Sequence, residues 1–114
     1  MKVRAKGKLK AALEDEAICQ KQYGRDMTKK IMQRLASLNA AQSLVDFWPP
    51  NGGPERCHEL KGDLAGIFSM DLKQPYRLLF KPIEEQPPKD RSDEKARWAL
   101  ITEVEIVAIE DTHG

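Results

Sequence analysis

The chain is poor in the side chains that announce a metal centre. It has two cysteines, Cys19 and Cys57, and two histidines, His58 and His113. The cysteines form no CxxC and show no ligand spacing, so no structural zinc module is expected and no metal is assigned. They are expected to be two reduced, half-buried thiols. No apolar run approaches the roughly 20 residues of a membrane-spanning helix, and no apolar signal segment follows the basic residues 1–6. A cytoplasmic location with no membrane partner is the resulting expectation. A Gly-rich phosphate loop is missing too, because Gly52 and Gly53 lie in a proline-rich stretch and open no helix. Nor is there a nucleophile elbow for Ser-His-Asp chemistry. Internal repeats are absent.

Charge of one sign is also lacking. Nineteen Lys/Arg face eighteen Asp/Glu, a net charge of +1, which argues against a nonspecific polyanion binder. The balance hides an asymmetry. Residues 1–50 hold ten basic and five acidic side chains, whereas residues 82–114 hold four and nine. A solvated helical surface accounts for the basic half as well as nucleic-acid binding does.

What is present fits one domain spanning residues 1–114, with 40% hydrophobic and 32% charged residues, a composition ordinary for a globular fold. Val3 and Ala5 alternate with basic residues and suggest a short first strand. Leu9, Leu13 and Ala17 recur at helical spacing over residues 8–22, and Gly24 is placed to stop that helix. Asp26 stands where an N-cap opens a second helix. There Met27, Ile31, Leu35 and Leu38 share a face, while Lys29, Lys30, Gln33 and Arg34 are expected to face solvent. Residues 44–56 read as a loop broken by Pro49, Pro50, Gly52, Gly53 and Pro54, with Phe47 and Trp48 expected to pack.

The stretch 57–82 reads as a β-hairpin in the middle of a sheet. Phe68, Met70, Tyr76, Leu78 and Phe80 are assigned to the core face. Arg77, Leu79 and Lys81 alternate onto the other. Residues 82–98 are polar and proline-bearing, and are expected to be a long mobile insertion. A last strand, 100–109, carries Glu103 and Glu105 between Val104 and Ile106. The order is β-α-α-β-β-β, an α+β fold with an antiparallel meander and a helical hairpin packed on one face.

If the meander pairs in this way, Lys61, Arg77 and His113 come from different strands and converge. This cationic set suits metal-free RNA cleavage, in which a 2′-hydroxyl attacks the adjacent phosphate. Histidine titrates in the useful range, arginine forks onto phosphate oxygens, and lysine adds a point charge. The same residue types also have plain structural roles. Arg77 can pair with Asp71 or Glu103, Lys61 can be a solvated turn residue, and His113 can fray at the chain end.

The motifs His58-Glu59-Leu60-Lys61-Gly62-Asp63, Gly66-Ile67-Phe68-Ser69-Met70, Tyr76-Arg77-Leu78-Leu79-Phe80 and the terminal Asp111-Thr112-His113 resemble the RelE/ParE toxin superfamily. They look most like its HigB-type, or plasmid-maintenance killer, branch. The resemblance implies a RelE-like fold and the toxin of a type II toxin–antitoxin system. It implies a ribosome-dependent, metal-independent mRNA endoribonuclease with no cofactor. It assigns Lys61, Arg77 and His113 as catalytic, with His58 and Lys81 as weaker, substrate-binding candidates. The implied partners are a helix-turn-helix antitoxin, the ribosome and mRNA, with DNA reached only through the antitoxin. Two alternatives stand beside it: a ParE-like inhibitor of DNA gyrase, and an inactive fold relative that binds a regulatory partner. Two departures from the family pattern are visible: the long 82–98 segment, and Asp-Thr-His where many relatives have an aromatic before the histidine.

Overall fold

The computed structural model describes residues 1–83 and 92–111. It begins with strand β1 (Lys2–Arg4), followed by helices α1 (Gly7–Glu14), α2 (Glu16–Tyr23) and α3 (Arg25–Ala40). The strands β2 (His58–Glu59), β3 (Phe68–Asp71) and β4 (Tyr76–Pro82) come next, then helix α4 (Glu94–Ala99) and strand β5 (Glu103–Asp111). The sheet order is β1-β5-β4-β3-β2. Strands β2 to β5 pair antiparallel with their neighbours, and β1 adds a parallel edge, with Val3 opposite Val104.

The expected first helix is in fact two. Asp15 sits in extended backbone between α1 and α2, and its carboxylate accepts from the backbone N–H of Ala17 at 2.9 Å and Ile18 at 3.4 Å. A short acidic side chain competes for its own backbone in this way and restarts the helix. Gly24 then closes α2, at φ 85, with its N–H bonded to the carbonyl of Gln20. Asp26 is not the cap of α3. Gly24 occupies that position, and Asp26 lies in the first turn, with Lys73 Nζ 3.4 Å from its carboxylate.

The core lies between the helices and one face of the sheet. Ala12, Cys19, Met27, Ile31 and Leu38 bury against Phe68, Met70, Leu78, Phe80, Val104 and Ile106. Phe68 and Phe80 stack across the β3–β4 pair at 5.8 Å, and Trp98 meets Phe68 edge-on at 5.5 Å and Trp48 at 5.1 Å. Trp48 is therefore a packing residue. Both cysteines are free and fully buried rather than half-buried.

Three further expectations change. Arg34 is buried, not solvated. It lies three residues after Ile31 and four before Leu38, so it falls on the apolar stripe. The segment expected to be a mobile insertion contains α4, with Trp98 at the centre of the core; its residues 84–91 lie outside the described residues. Tyr76 is 42% exposed instead of packed. It stands at the sheet end beside the α2–α3 turn, on the rim of a cleft of about 400 Å³ that is also lined by Tyr23, Gly24 and Lys73.

Candidate functional site

The face of the sheet turned away from the helices carries the polar residues in rows. Cross-strand partners point the same way, so the register assigns each row directly. At one end Asp71, Arg77 and Glu110 are neighbours on β3, β4 and β5. The next row is His58, Ser69, Leu79 and Ala108. Further along, Lys81 faces Glu105, which in turn faces Arg4. Leu79 is buried yet stands outside the main core cluster, as its outward alternation requires.

Arg77 is held loosely. Its Nε lies 3.8 Å from Asp71 Oδ1 and is buried with no hydrogen-bond partner among the described residues. Asp71 is held from several sides. Its other oxygen, Oδ2, accepts from Gln74 Nε2 at 3.0 Å and lies 3.5 Å from Arg56 Nε. Its backbone carbonyl accepts from Arg34 Nε at 2.7 Å. A second donor of Arg34, Nη2, reaches the carbonyl of Pro54 at 3.1 Å. The backbone N–H of Asp71 donates to Glu55 at 2.8 Å.

Lys61 is exposed at the head of a 3-10 turn, Gly62–Leu64. The turn is braced by Glu59, whose Oε2 accepts from the N–H of Gly66 at 2.9 Å while Oε1 pairs with Arg97 of α4. Arg97 also stands over the Phe68 ring at 5.9 Å. The brace links the basic turn to the buried side of the sheet.

The structure does not draw all the candidate residues together. Leu60, next to Lys61, bonds to Ile67. That position is four residues from Asp71, or about 13 Å along the strand. Lys61 and Lys81 therefore belong to one end of the face and Arg77 to the other. His58 lies between them, one row from Arg77, with its Nδ1 3.3 Å from the carbonyl of Glu59. His113 lies outside the described residues. Strand β5 ends at Asp111, opposite Tyr76 and next to the Arg77 row. Arg34, Arg56, Asp71 and Arg97 were not among the candidates read from the sequence. The stripe position of Arg34 is a signal for one of them; Arg56 and Asp71 are brought together by register and packing, and Arg97 lies on the buried side, over Phe68.

Among the described residues, no helix is long and apolar enough to cross a membrane. No family model matches the chain, and no curated protein matches it. Solved structures do. A YoeB/ParE toxin from Agrobacterium tumefaciens matches with a TM-score of 0.58 at 15% identity, covering 99% of this chain and 100% of that one. A YoeB–YefM complex from Staphylococcus aureus contains a chain that matches with a TM-score of 0.54 at 18% identity, covering 96% and 94%. The fold is that of the RelE- and YoeB-like toxins. At these identities the likeness is one of fold. The names are YoeB and ParE, and neither selects the HigB branch.

Proposed function

We propose that this chain is the toxin of a toxin–antitoxin pair and that it cleaves mRNA on the ribosome without a metal ion. The observation that supports this reading most directly is the placement of Arg77 on a toxin-type sheet. It lies on the face away from the helices, one position from where β5 ends, with its Nε buried and unbonded among the described residues. A guanidinium whose bonds are incompletely used is suited to take phosphate oxygens.

In the proposed reaction the RNA 2′-oxygen attacks the adjacent phosphorus and the bond from phosphorus to the 5′-oxygen breaks, leaving a 2′,3′-cyclic phosphate and a 5′-hydroxyl. Arg77 stabilises the charge that develops on the phosphorane oxygens. His113 is assigned the proton transfer. Lys61 is assigned to binding the phosphate of a neighbouring nucleotide. His58 and Lys81 are assigned to substrate binding. The spread of Lys61, His58 and Arg77 over the face fits contacts to successive nucleotides better than convergence on one phosphate.

The partner is proposed to be an antitoxin protein, in keeping with the solution of one fold relative as a complex with YefM; its helix-turn-helix class rests on the family resemblance alone. The second reading, inhibition of DNA gyrase, rests on the ParE name of the other relative. An in vitro translation assay separates the two. The wild type is expected to cut ribosome-bound mRNA, and Arg77→Ala and His113→Ala to cut at least about 100-fold more slowly. Equal cutting by all three proteins sinks the assignment, and inhibition of gyrase supercoiling without mRNA cleavage transfers it to the second reading.

A further inference from the structure

Arg56 stands beside the same carboxylate as Arg77. Asp71 Oδ1 faces Arg77 Nε at 3.8 Å, and Asp71 Oδ2 faces Arg56 Nε at 3.5 Å. Each arginine thus turns its Nε toward one oxygen of a single aspartate. A guanidinium oriented through Nε keeps the four N–H groups of its two Nη atoms for another acceptor. The Arg56 side chain is 61% exposed and that of Arg77 22%.

The backbone at Arg56 is held in an uncommon shape to achieve this. Its φ is 49, in the left-handed region that non-glycine residues rarely adopt. The flanking chain is pinned on both sides. Arg34 bonds the carbonyl of Pro54, the Asp71 N–H bonds that of Glu55, and Cys57 is fully buried. Such a conformation persists only where its surroundings over-determine it, and it is characteristic of ligand-holding positions.

We propose that Arg56 and Arg77 form a two-arginine clamp for the phosphates of single-stranded RNA, with Asp71 as the positioning residue that sets both forks. The proposal deepens the reading of the face as an RNA-cleaving site and rests on it. It adds Arg56 as a substrate-binding residue. It gives Asp71 a role opposite to the one its charge suggests.

That opposition makes the test. A short single-stranded RNA with its 2′-hydroxyls methylated cannot be cleaved, and its affinity is measured by fluorescence anisotropy across a salt series. Relative to the wild type, Arg56→Ala is expected to bind about tenfold more weakly and to reduce the slope of log affinity against log salt by about 0.7, the loss of one single-strand phosphate contact. Arg56→Lys keeps the charge but not the fork, and is expected to recover the slope without the full affinity. Removing a carboxylate strengthens binding of a polyanion on charge alone, yet Asp71→Asn is expected to weaken it. Tighter binding by Asp71→Asn overturns the positioning role. An unchanged slope in Arg56→Ala, with a reduced one in Arg77→Ala, overturns the clamp and leaves the RNA reading standing. Loss of slope in both arginine variants of a protein that cuts no message supports the clamp while the cleavage reading fails. Absence of salt-dependent binding by the wild type overturns the clamp outright.

Discussion

Arg34 on α3 donates from Nε to the backbone carbonyl of Asp71 at 2.7 Å. A buried side chain of the helix layer thereby fixes the strand residue whose carboxylate faces Arg77 on the other side of the sheet. The same guanidinium bonds the carbonyl of Pro54, so the chain before β2 and the end of β3 are tied at one point. Packing, loop shape and the candidate site meet there.

Replacing Arg34 with leucine is expected to destabilise the fold by about 2–4 kcal/mol. Two part-buried carbonyls lose a charged donor, and at partial burial each such loss costs about 1–2 kcal/mol. Urea unfolding monitored by tryptophan fluorescence measures the change. Arg34→Lys is expected to recover only part of it, since one ammonium cannot serve both carbonyls with the geometry of the fork.

Trp98→Ala is expected to cost about 3–5 kcal/mol, because the ring is fully buried between Trp48 and Phe68. Tyr76→Ala, at a position 42% exposed, is expected to cost much less. Thermal melts of the two variants side by side test whether the chain after residue 91 belongs to the core. Near-equal shifts would show that it does not.

Asp15→Ala removes the side chain that accepts the first N–H groups of α2. The expected loss is about 1 kcal/mol, typical of an N-cap. Asp15→Ser retains an acceptor and is expected to lose less. Hydrogen exchange at Ala17 and Ile18 gives a local readout that global stability does not.

Burial pushes the Cys57 thiol up to about 12 from its ordinary value of 9.0, with the charge of Glu55 adding to the shift. The folded protein therefore favours the neutral thiol. The associated stability is fully present below pH 9 and is lost as pH rises from about 9 to about 12. The difference in unfolding free energy between wild type and Cys57→Ala is expected to change over that window and to be flat below it. In the native state at pH 8, Cys57 is expected to resist alkylation, because it is buried and protonated. Rapid labelling there contradicts the burial.

Much of the secondary structure was legible because its signals are local. The stripe Met27, Ile31 and Leu38 and the alternation of Arg77, Leu79 and Lys81 with Leu78 and Phe80 are set by periods of 3.6 and 2 residues. Those periods act within one element whatever surrounds it. The break at Asp15 is local as well, but its acidic side chain reads equally as a solvated position until its bonds to Ala17 and Ile18 are seen. The polar composition around Trp98 hid a core residue, since one buried ring beside a buried arginine, Arg97, leaves almost no periodic trace.

The sequence by itself determined that Leu78 and Phe80 of β4 face the core, the order of the main elements and the motifs that resemble the toxin superfamily. The tertiary structure alone decided that Lys61 and Arg77 lie at opposite ends of the face, that Arg34 is buried, and that Arg56 joins Asp71 and Arg77. Register and long-range packing join Arg56 and Arg34 to Asp71, a residue far from both in the chain. A cross-strand or helix-to-strand contact of that kind depends on how whole elements bury their apolar faces together, and no window of neighbouring residues carries that information.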